Sequence, residues 1–372
     1  MQKIRVGILG ASGYTGAELV RLLAQHPYVE IALLTADRKA GQPLQSVFPH
    51  LGYLDLPDLV AIDDVEWAGL DLDLVFCALP HATSQKIIKG LLHGADDTLL
   101  DDMIVVDATD HASAIQKSVK VIDLSADFRL RDVETYAKWY GGEHTAPELQ
   151  QEAVYGLTEL SREEVKSARL VACPGCYPTA ALLSLIPLLL AKVISTEGII
   201  IDAKSGVSGA GRSLRESNLF TEVAEGMHPY GIAAHRHSPE IEQELSKAAG
   251  EGVYVTFTPH LVPMNRGELE TIYVTLADGQ SGEDLRAVLS KQYAEDHFVQ
   301  VLGEGDIPAT RNVRGSNLCQ IAVFDDRIPG RAIIVVAIDN LVKGSSGQAI
   351  QNMNLMFGFP ETLSLEQAPL FP

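Results

Sequence analysis

The first half of the chain alternates short apolar runs with segments of helical periodicity. Mostly apolar runs at residues 4–9, 29–34, 74–79 and 119–124 are typical of strands buried on both faces. Residues 17–25, which follow the first run, have the spacing of a helix. This alternation predicts an α/β domain of the Rossmann type.

The second half has a different pattern, in which apolar and polar residues alternate. Residues 253–258, 268–276, 320–324 and 332–337 follow this pattern, which is typical of antiparallel strands with one covered face. An amphipathic helix is predicted at residues 350–356, and we expect it to pack back on the first domain. The second half therefore predicts an α+β domain with a mostly antiparallel sheet.

Length, charge and composition narrow the class of protein. The 372 residues suffice for about two domains, which we place at residues 1–171 with 346–372, and at residues 172–345. The net charge of −20 argues against nucleic-acid binding, which needs a basic face. No apolar stretch approaches the roughly 20 residues of a membrane span, and no signal peptide precedes the first strand. Four cysteines do not make a disulfide framework, so we expect a cytoplasmic protein.

Residues 94–118 interrupt the regular alternation of the first half. They are acidic and polar around a short apolar run at residues 103–106. We expect this segment to be a surface elaboration.

A glycine-rich turn joins the first strand to the first helix. It has the spacing glycine-x-x-glycine-x-x-glycine, a variant of the dinucleotide fingerprint. A strand before it and a helix after it aim backbone N–H groups at a pyrophosphate. The candidate cofactor contacts are Gly10, Ser12, Gly13, Tyr14, Thr15 and Gly16. The alternative is an ordinary strand–helix turn that happens to carry glycines.

The end of the second strand bears on the choice of dinucleotide. Thr35, Arg38 and Lys39 are suited to the 2′-phosphate of NADP, whereas Asp37 would suit the ribose hydroxyl of NAD. Two adjacent cations and a hydroxyl favour NADP. Arg38 and Lys39 could instead be a solvated loop pair.

Cys176 is the candidate nucleophile. An apolar strand ending at Ala172 is followed by Pro174 and Gly175, which force a turn, and then by a long apolar helix. We place Pro178 at the first helical position, which leaves Cys176 just ahead of the helix. The unpaired N–H groups and positive dipole end of a helix favour a thiolate, and a thiolate is a nucleophile.

Cys173 allows two interpretations other than a single nucleophilic thiol. The segment Cys173-Pro174-Gly175-Cys176 has the spacing of a dithiol redox centre. It is also half of a zinc site, although no second pair occurs at ligand spacing. Under oxidation, a reversible disulfide between the two cysteines would silence the nucleophile. Cys77, inside a predicted strand, is expected to be a core residue.

Further candidates lie in polar segments of both halves. The glycine- and serine-rich segment 204–212 offers Ser205 and Gly206 for an oxyanion or phosphate, or is a flexible connector. Asn340 precedes a glycine–serine helix start that can present backbone donors to a cofactor.

His235 lies just ahead of a predicted helix and is a candidate acid/base, although an isolated histidine is more often structural. Arg129 is either an anion contact or part of a structural ion pair.

Together these residues resemble the N-acetyl-gamma-glutamyl-phosphate reductases of arginine biosynthesis. The resemblance runs from Val6 to about Pro360 and is more distant to the aspartate-semialdehyde dehydrogenases. Its most specific parts are residues 174–179, 235–241 and 339–344. It implies that Cys176 is the nucleophile and that His235 is the acid/base. It also implies a second domain devoted to catalysis and oligomerisation.

The resemblance implies reductive dephosphorylation of an acyl phosphate with NADPH. The Cys176 thiolate would attack the substrate carbonyl, inorganic phosphate would leave, and hydride would reduce the thioester to a semialdehyde. His235 would take the thiol proton first and protonate the departing group later. Arg129, Arg212 and Glu240 are proposed substrate contacts, because guanidinium groups suit carboxylate and phosphate. No metal is needed, and a homodimer or homotetramer is expected.

Other interpretations of the function remain open. Aspartyl phosphate or the longer N-acetyl-aminoadipyl phosphate would undergo the same chemistry, and one methylene is worth only about 1–3 kcal/mol of selectivity. A protein of a different class, a non-catalytic NADP sensor or a dithiol redox switch, would bind the cofactor without phosphate-dependent turnover.

Overall fold

The chain folds into two structural units. The computed structural model describes residues 3–93 and 119–371, and the predicted surface elaboration at 94–118 lies outside them. The first unit comprises Met1–Cys173 and Ala349–Ser364, and the second Pro174–Gln348 and Leu365–Pro372.

A parallel sheet organises the first unit. Its strands follow the order β3-β2-β1-β4-β5-β7-β6, and every adjacent pair is parallel. They are β1 Ile4–Leu9, β2 Val29–Thr35, β3 Leu59–Val60, β4 Leu74–Cys77, β5 Lys120–Asp123, β6 Val154–Tyr155 and β7 Leu170–Ala172. The helices between them are α1 Tyr14–Leu23, α2 Ser84–His93, α3 Val133–Tyr140, α4 Pro147–Glu152 and α5 Arg162–Ser167. The predicted Rossmann-type α/β architecture is confirmed.

The core of the first unit lies on both faces of this sheet. Ile8, Phe76 and Ile122 are fully buried on one face, and Val75 and Val121 on the other, as expected for central parallel strands. Cys77 is buried on the second of these faces, and burial raises the pKa of its thiol well above the usual value. It is therefore a core residue and not a second nucleophile.

A mixed, mostly antiparallel sheet organises the second unit, as predicted. Its order is β12-β13-β14-β11-β8-β10-β9, with parallel pairing only for β8 with β10 and β12 with β13 among the described strands. The strands are β8 Ile199–Gly206, β9 His228–Pro229, β10 Val255–Val262, β11 Glu268–Thr275, β12 Val299–Val301, β13 Cys319–Asp325 and β14 Arg331–Ile338. The helices that begin in this unit are α6 Cys176–Leu190, α7 Phe220–Val223, α8 His237–Ala249, α9 Gly282–Gln292 and α10 Gly347–Met356.

Helix α6 is the apolar centre of the second unit. It packs against α8, β11 and β14, and Leu182, Leu183 and Leu185 are fully buried. A helix that is apolar on all sides belongs in a core. With 15 residues, α6 is shorter than the roughly 20 that a bilayer requires. Across the described ranges, no helix combines the length and apolar character of a membrane span.

Several element boundaries differ from the sequence prediction, and three of them bear on the candidate site residues. Helix α1 begins at Tyr14, three residues early, and α6 begins at Cys176, which puts Pro178 third in the helix. Proline is tolerated throughout the first turn, so its presence does not fix the first residue. Ser205 and Gly206 end β8 and are not loop residues, because they pair with β11 and β10. Tertiary pairing overrides the low strand propensity of glycine and serine.

Truncation of Leu182 to alanine should destabilise the second unit by about 2–5 kcal/mol, because the side chain is fully buried in α6. Leu190→Ala is the matched control on the same helix, since Leu190 is 61% exposed. Its free energy of unfolding should change by less than about 0.5 kcal/mol. Urea denaturation of both variants is the measurement, and equal losses would contradict the central role of α6.

Candidate active site

Cys176 is the first residue of helix α6. Gly175 is the N-cap, with φ −67° and ψ 161°, and no side chain caps the helix. The Sγ atom therefore lies at the helix N-terminus, where the dipole favours a negative charge. Cys176 is partly exposed, whereas Cys77, Cys173 and Cys319 are buried, and all four are free thiols. Cys176 is therefore the accessible thiol of the four, and its role as nucleophile stays a prediction at this point.

Glu240 fixes the turn that precedes Cys176. Its side chain is buried, and Oε1 accepts a hydrogen bond from the Gly175 backbone N–H at 2.9 Å. The carboxylate thereby ties α8 to the N-terminus of α6. The structure gives Glu240 a positioning role, and its proposed contact with the substrate stays a prediction.

Gly344 packs against Cys176 so closely that a side chain would not fit. A Cβ atom at Gly344 would lie 2.7 Å from Cys176 Cβ and 3.2 Å from Ile338 Cδ1. Gly344 belongs to a single π-helical turn, Val342–Ser346, that leads into α10. The glycine is needed here for close approach to Cys176. The sequence analysis did not single it out.

His235 lies in a cluster of aromatic rings that includes Tyr177, the residue after Cys176. Its ring centroid is 5.9 Å from that of Tyr177, 5.3 Å from Phe257 and 4.8 Å from His237. Burial and the nearby Arg236 lower the pKa of His235 to about 4. Nδ1 accepts a hydrogen bond from the His237 backbone N–H at 3.1 Å, so the neutral ring carries its proton on Nε2.

Two tyrosines complete this cluster. The hydroxyls of Tyr177 and Tyr230 are 3.0 Å apart, and burial raises the pKa of both phenols. Both are therefore neutral hydrogen-bonding groups at physiological pH. The sequence analysis did not identify either residue.

Two buried glutamates on β11 were also missed. Glu268 and Glu270 are fully buried on the same face of the strand as Ile272. Burial raises the pKa of Glu268 to about 8, Asp339 adds to the increase, and the Cys176 thiol opposes it. The strict alternation of β11 could have revealed them, since it places both glutamates on the face of the buried apolar residues.

Asn340 joins the segments around the end of β8. Its Oδ1 accepts the Gly267 N–H at 2.8 Å, and its Nδ2 donates to Ser208 Oγ at 3.0 Å. The Gly206 N–H donates to the Gly267 carbonyl at 2.9 Å, and Ser205 is buried beside it. These bonds bring the predicted Ser205, Gly206 and Asn340 together and give them a structural role. Their contact with a cofactor stays a prediction.

The candidate arginines have different surroundings. Arg129 is buried in the first unit and donates from Nε to the Cys173 carbonyl at 2.8 Å. It also opposes the raised pKa of the buried Asp123, which burial brings to about 7. Arg129 is thus engaged structurally, and its anion contact stays a prediction. Arg212 is exposed in the second unit.

The glycine turn of the first unit fits a dinucleotide pyrophosphate. Gly10 has φ +83°, and a Cβ atom at Gly16 would lie 2.6 Å from Ala11 Cα. The turn therefore requires glycine at both positions. Helix α1 begins at Tyr14 with Gly13 as N-cap, and its first turn has no acidic residue. An anion at this N-terminus would meet backbone N–H groups, including those near Ser12 and Thr15.

The three predicted 2′-phosphate contacts at the end of β2 differ in their exposure to solvent. Thr35 is buried and its Oγ1 accepts the Gly10 N–H at 3.2 Å, so this hydroxyl supports the glycine turn. Arg38 and Lys39 are exposed just beyond the strand. The two cations are therefore accessible to a phosphate.

No metal cluster accompanies these sites in the part of the chain that is described. Over residues 3–93 and 119–371, no group of three or more histidine, cysteine, aspartate or glutamate side chains is arranged to hold a metal ion.

Two family models match the chain. The model described as semialdehyde dehydrogenase, NAD binding domain, matches residues 5–112, and the semialdehyde dehydrogenase, dimerisation domain, matches residues 176–340. Among solved structures, aspartate semialdehyde dehydrogenase II from Vibrio cholerae has a TM-score of 0.68 at 16% identity, covering 96% of this chain and 99% of that one. This likeness concerns the fold.

Curated relatives match over the full length. The chain is 60% identical to the N-acetyl-gamma-glutamyl-phosphate reductase of Afipia carboxidovorans, with 99% of each chain covered. It is 58% identical to the protein of the same name from Rhodospirillum rubrum, covering 100% of this chain and 99% of that one. A probable chloroplastic protein of this name from Arabidopsis thaliana is 56% identical, covering 99% of this chain and 86% of the relative.

The lowered pKa predicts that His235 stays neutral until about pH 4. Since its ordinary value is 6.5, the unfolded chain binds a proton between these pH values that the folded chain does not. This residue should therefore reduce the free energy of unfolding as the pH falls from 6.5 to about 4. An NMR titration, with His235→Asn to assign the signal, is the measurement, and a midpoint near 6.5 would contradict the expected burial effect.

Proposed function

We propose that this chain, which belongs to the N-acetyl-gamma-glutamyl-phosphate reductase family, reduces N-acetyl-L-glutamyl 5-phosphate with NADPH. The products would be N-acetyl-L-glutamate 5-semialdehyde and inorganic phosphate, in arginine biosynthesis. The observation that carries the proposal is Cys176, the partly exposed thiol at the N-terminus of a buried helix. Full-length relatives at 56–60% identity support the choice of substrate.

Cys176 would supply the nucleophile. Its sulfur forms a bond to the acyl carbon, the bond from that carbon to the phosphate oxygen breaks, and phosphate leaves with the electron pair. The N-terminus of α6 stabilises the thiolate before attack and again when the thiol ester is cleaved. A thiol ester accepts hydride far more readily than an oxygen ester, which explains cysteine at this position.

The first unit would hold the dinucleotide. NADPH, when bound, supplies the hydride that reduces the thioester. The glycines at positions 10 and 16 allow close backbone approach to the pyrophosphate, and the N-terminus of α1 adds a favourable dipole. Arg38 and Lys39 would pair with the 2′-phosphate, which supports NADP over NAD.

His235 would act as a hydrogen-bond donor. With Nδ1 accepting the His237 N–H, the proton on Nε2 is available to the substrate oxygen that gains charge during attack. The acid/base role of His235, in which the ring takes the thiol proton and later returns it to the departing group, stays a prediction. Burial and Arg236 lower the pKa of His235 to about 4, which keeps the ring neutral at physiological pH.

The second unit would also form the oligomer. Residues 176–340 match a family model that is described as a dimerisation domain, which supports a homodimer or a homotetramer. The substrate contacts of Arg129, Arg212 and Glu240 and the cytoplasmic location remain predictions.

The direct test runs the reaction in reverse. With N-acetylglutamate 5-semialdehyde and NADP, formation of NADPH should require phosphate, and Cys176→Ala should lower the rate by about 10⁴-fold or more. Cys176→Ser should be a poor substitute. Cys173→Ala is the matched control and should retain turnover, whereas a dithiol redox centre would lose function with either cysteine. The absorbance of NADPH is the measurement.

The same assay decides between the alternatives. If aspartate semialdehyde or the homologue with one more methylene is turned over faster, that compound is the preferred substrate, and the reaction type stays the same. Binding of NADP without turnover of any of the three semialdehydes would overturn the proposal in favour of a sensor or redox switch.

The cofactor preference has its own test. Replacing Arg38 and Lys39 together by alanine should raise KM for NADPH by about 10- to 100-fold, because charge-assisted hydrogen bonds to the 2′-phosphate are lost. KM for NADH should hardly change. Lys138→Ala removes an exposed cation elsewhere in the first unit and serves as the control. Equal increases in KM for both cofactors would show that the two cations do not recognise the 2′-phosphate.

A further inference from the structure

A buried carboxylate in the first unit holds the loop that follows β4. Asp127 is fully buried, and its Oδ1 atom accepts the Ala82 backbone N–H at 2.7 Å while Oδ2 accepts the Ser84 N–H at 3.0 Å. The Tyr136 hydroxyl also donates to Oδ1, at 2.8 Å. Residues 80–83 of the loop are exposed. A side chain of the interior therefore fixes the course of a surface loop.

The conformation of this loop requires such an anchor. Ala82 has φ +66°, a left-handed conformation that costs free energy for a residue with a side chain. A residue stays in such a conformation only when its surroundings hold it there. The Ala82 N–H is the donor that lies nearest to the Asp127 carboxylate. This hydrogen bond therefore keeps Ala82 in a conformation that it would otherwise leave.

Further hydrogen bonds join the loop after β4 to the loop after β5. The Ala126 N–H, one residue before Asp127, donates to His81 Nδ1 at 3.0 Å. The Asp127 N–H donates to Ser125 Oγ at 3.1 Å, and that hydroxyl donates to the buried Asp123 at 2.8 Å. The two loops therefore form one hydrogen-bonded unit at the carboxyl ends of their strands.

These loops lie at the edge of the sheet where a dinucleotide is expected. In the order β3-β2-β1-β4-β5, the strands that follow β1 lie on one side and those that follow β4 on the other. Ligands of open α/β sheets bind at such a switch point. The glycine turn follows β1 and contacts the segment after β4, since a Cβ atom at Gly10 would lie 2.4 Å from the Ala78 carbonyl oxygen.

We propose that Asp127 is a positioning residue for the cofactor, because it holds residues 80–83 in the shape that completes the dinucleotide site beside the glycine turn. This inference rests on the proposed function, which supplies NADPH as the ligand. It is carried by the two backbone hydrogen bonds, by the burial of Asp127 and by the left-handed conformation of Ala82.

The same carboxylate determines which helix N-terminus is available to the pyrophosphate. Ser84 is the first residue of α2, so Asp127 binds an N–H group at that N-terminus and places negative charge there. Helix α1 has no acidic residue in its first turn. An anion is therefore directed to α1, while the loop after β4 contributes its shape and not a helix dipole.

The first test measures binding and does not depend on turnover. The Kd of NADPH is determined by fluorescence titration of the full chain, for wild type and for Asp127→Asn. One side of an amide is a donor, so the N–H of Ala82 or of Ser84 loses its acceptor in the variant. The Kd should rise about tenfold or more, because the loop then has the binding shape for only part of the time. An unchanged Kd would overturn the proposal, whatever the loss of stability.

Asp132→Asn is the matched control. Asp132 caps α3, where its side chain accepts the Thr135 N–H at 3.0 Å, and it does not bind the loop after β4 through any hydrogen bond among the described residues. Its Kd for NADPH should match wild type, and an equal loss in both variants would contradict the proposal. Wild type that fails to bind NADPH would refute the proposed function together with this role, whereas unaffected binding by Asp127→Asn would refute the role alone.

A change at Ala82 tests how Asp127 acts. Glycine adopts the left-handed conformation without strain, so Ala82→Gly should lower the Kd of the Asp127→Asn variant by about 3- to 10-fold. In wild type the same change should alter the Kd by less than about twofold, because the loop is already held. Equal factors in both backgrounds would show that the two residues act independently, which would overturn the proposal.

If Asp127→Asn does not fold, Ala82→Pro decides, since Ala82 is exposed and its replacement leaves the core intact. Proline lacks the N–H that Asp127 binds, and its φ of about −65° excludes the +66° of this position. The Kd of NADPH should again rise about tenfold or more, for the same reason as in Asp127→Asn. A wild-type Kd would contradict the proposal.

Turnover provides the second test. In the phosphate-dependent assay, Asp127→Asn should raise KM for NADP about tenfold or more, while KM for the semialdehyde should hardly change. The rate of Cys176 alkylation by iodoacetamide should also match wild type, because the thiol lies in the second unit. Equal increases in both KM values would indicate general damage to the fold and overturn the proposal. Absence of turnover in wild type that binds NADPH would refute the proposed reaction, while the Kd values would still decide the role of Asp127.

Discussion

The burial of helix α6 is the constraint on which the second unit depends. The helix is apolar on all sides, so it can lie only in the core, between α8 and the sheet that contains β11 and β14. Its first residue is Cys176, and the turn before it is held by the Glu240 carboxylate while Gly344 closes against it. The position of the sulfur atom is therefore set by core packing and not by a mobile loop.

Burial also controls the ionisation of the groups around the sulfur. His235 becomes a weaker base, whereas Glu268, Tyr177 and Tyr230 become weaker acids, all because a low-dielectric surrounding disfavours charge. The helix N-terminus acts in the opposite sense on the thiol. One enclosed site can thus keep its imidazole and phenols neutral and still favour a thiolate.

Much of the fold, and the place of Cys176 at the start of a long apolar helix, could be predicted from the sequence. Mostly apolar runs indicated β1, β2, β4 and β5, because strands buried on both faces leave that pattern. Pro174 and Gly175 indicated the turn before Cys176. Side-chain partners could not be predicted. Glu240 and Arg129 were interpreted as substrate contacts because charge is visible in a sequence, whereas the Gly175 N–H and the Cys173 carbonyl that they bind become neighbours only on folding. The same holds for Gly344, whose need for close approach comes from a distant part of the chain.

Helix α6 has a consequence for the sequence variation that this protein can tolerate. Because the nucleophile and the centre of the core belong to one rigid element, a change of volume deep in the helix displaces the sulfur as well as weakening the packing. Selection for activity therefore also acts on leucines that never meet a substrate. Along α6, buried positions should accept only exchanges of similar volume, while the exposed Leu190 is free to drift.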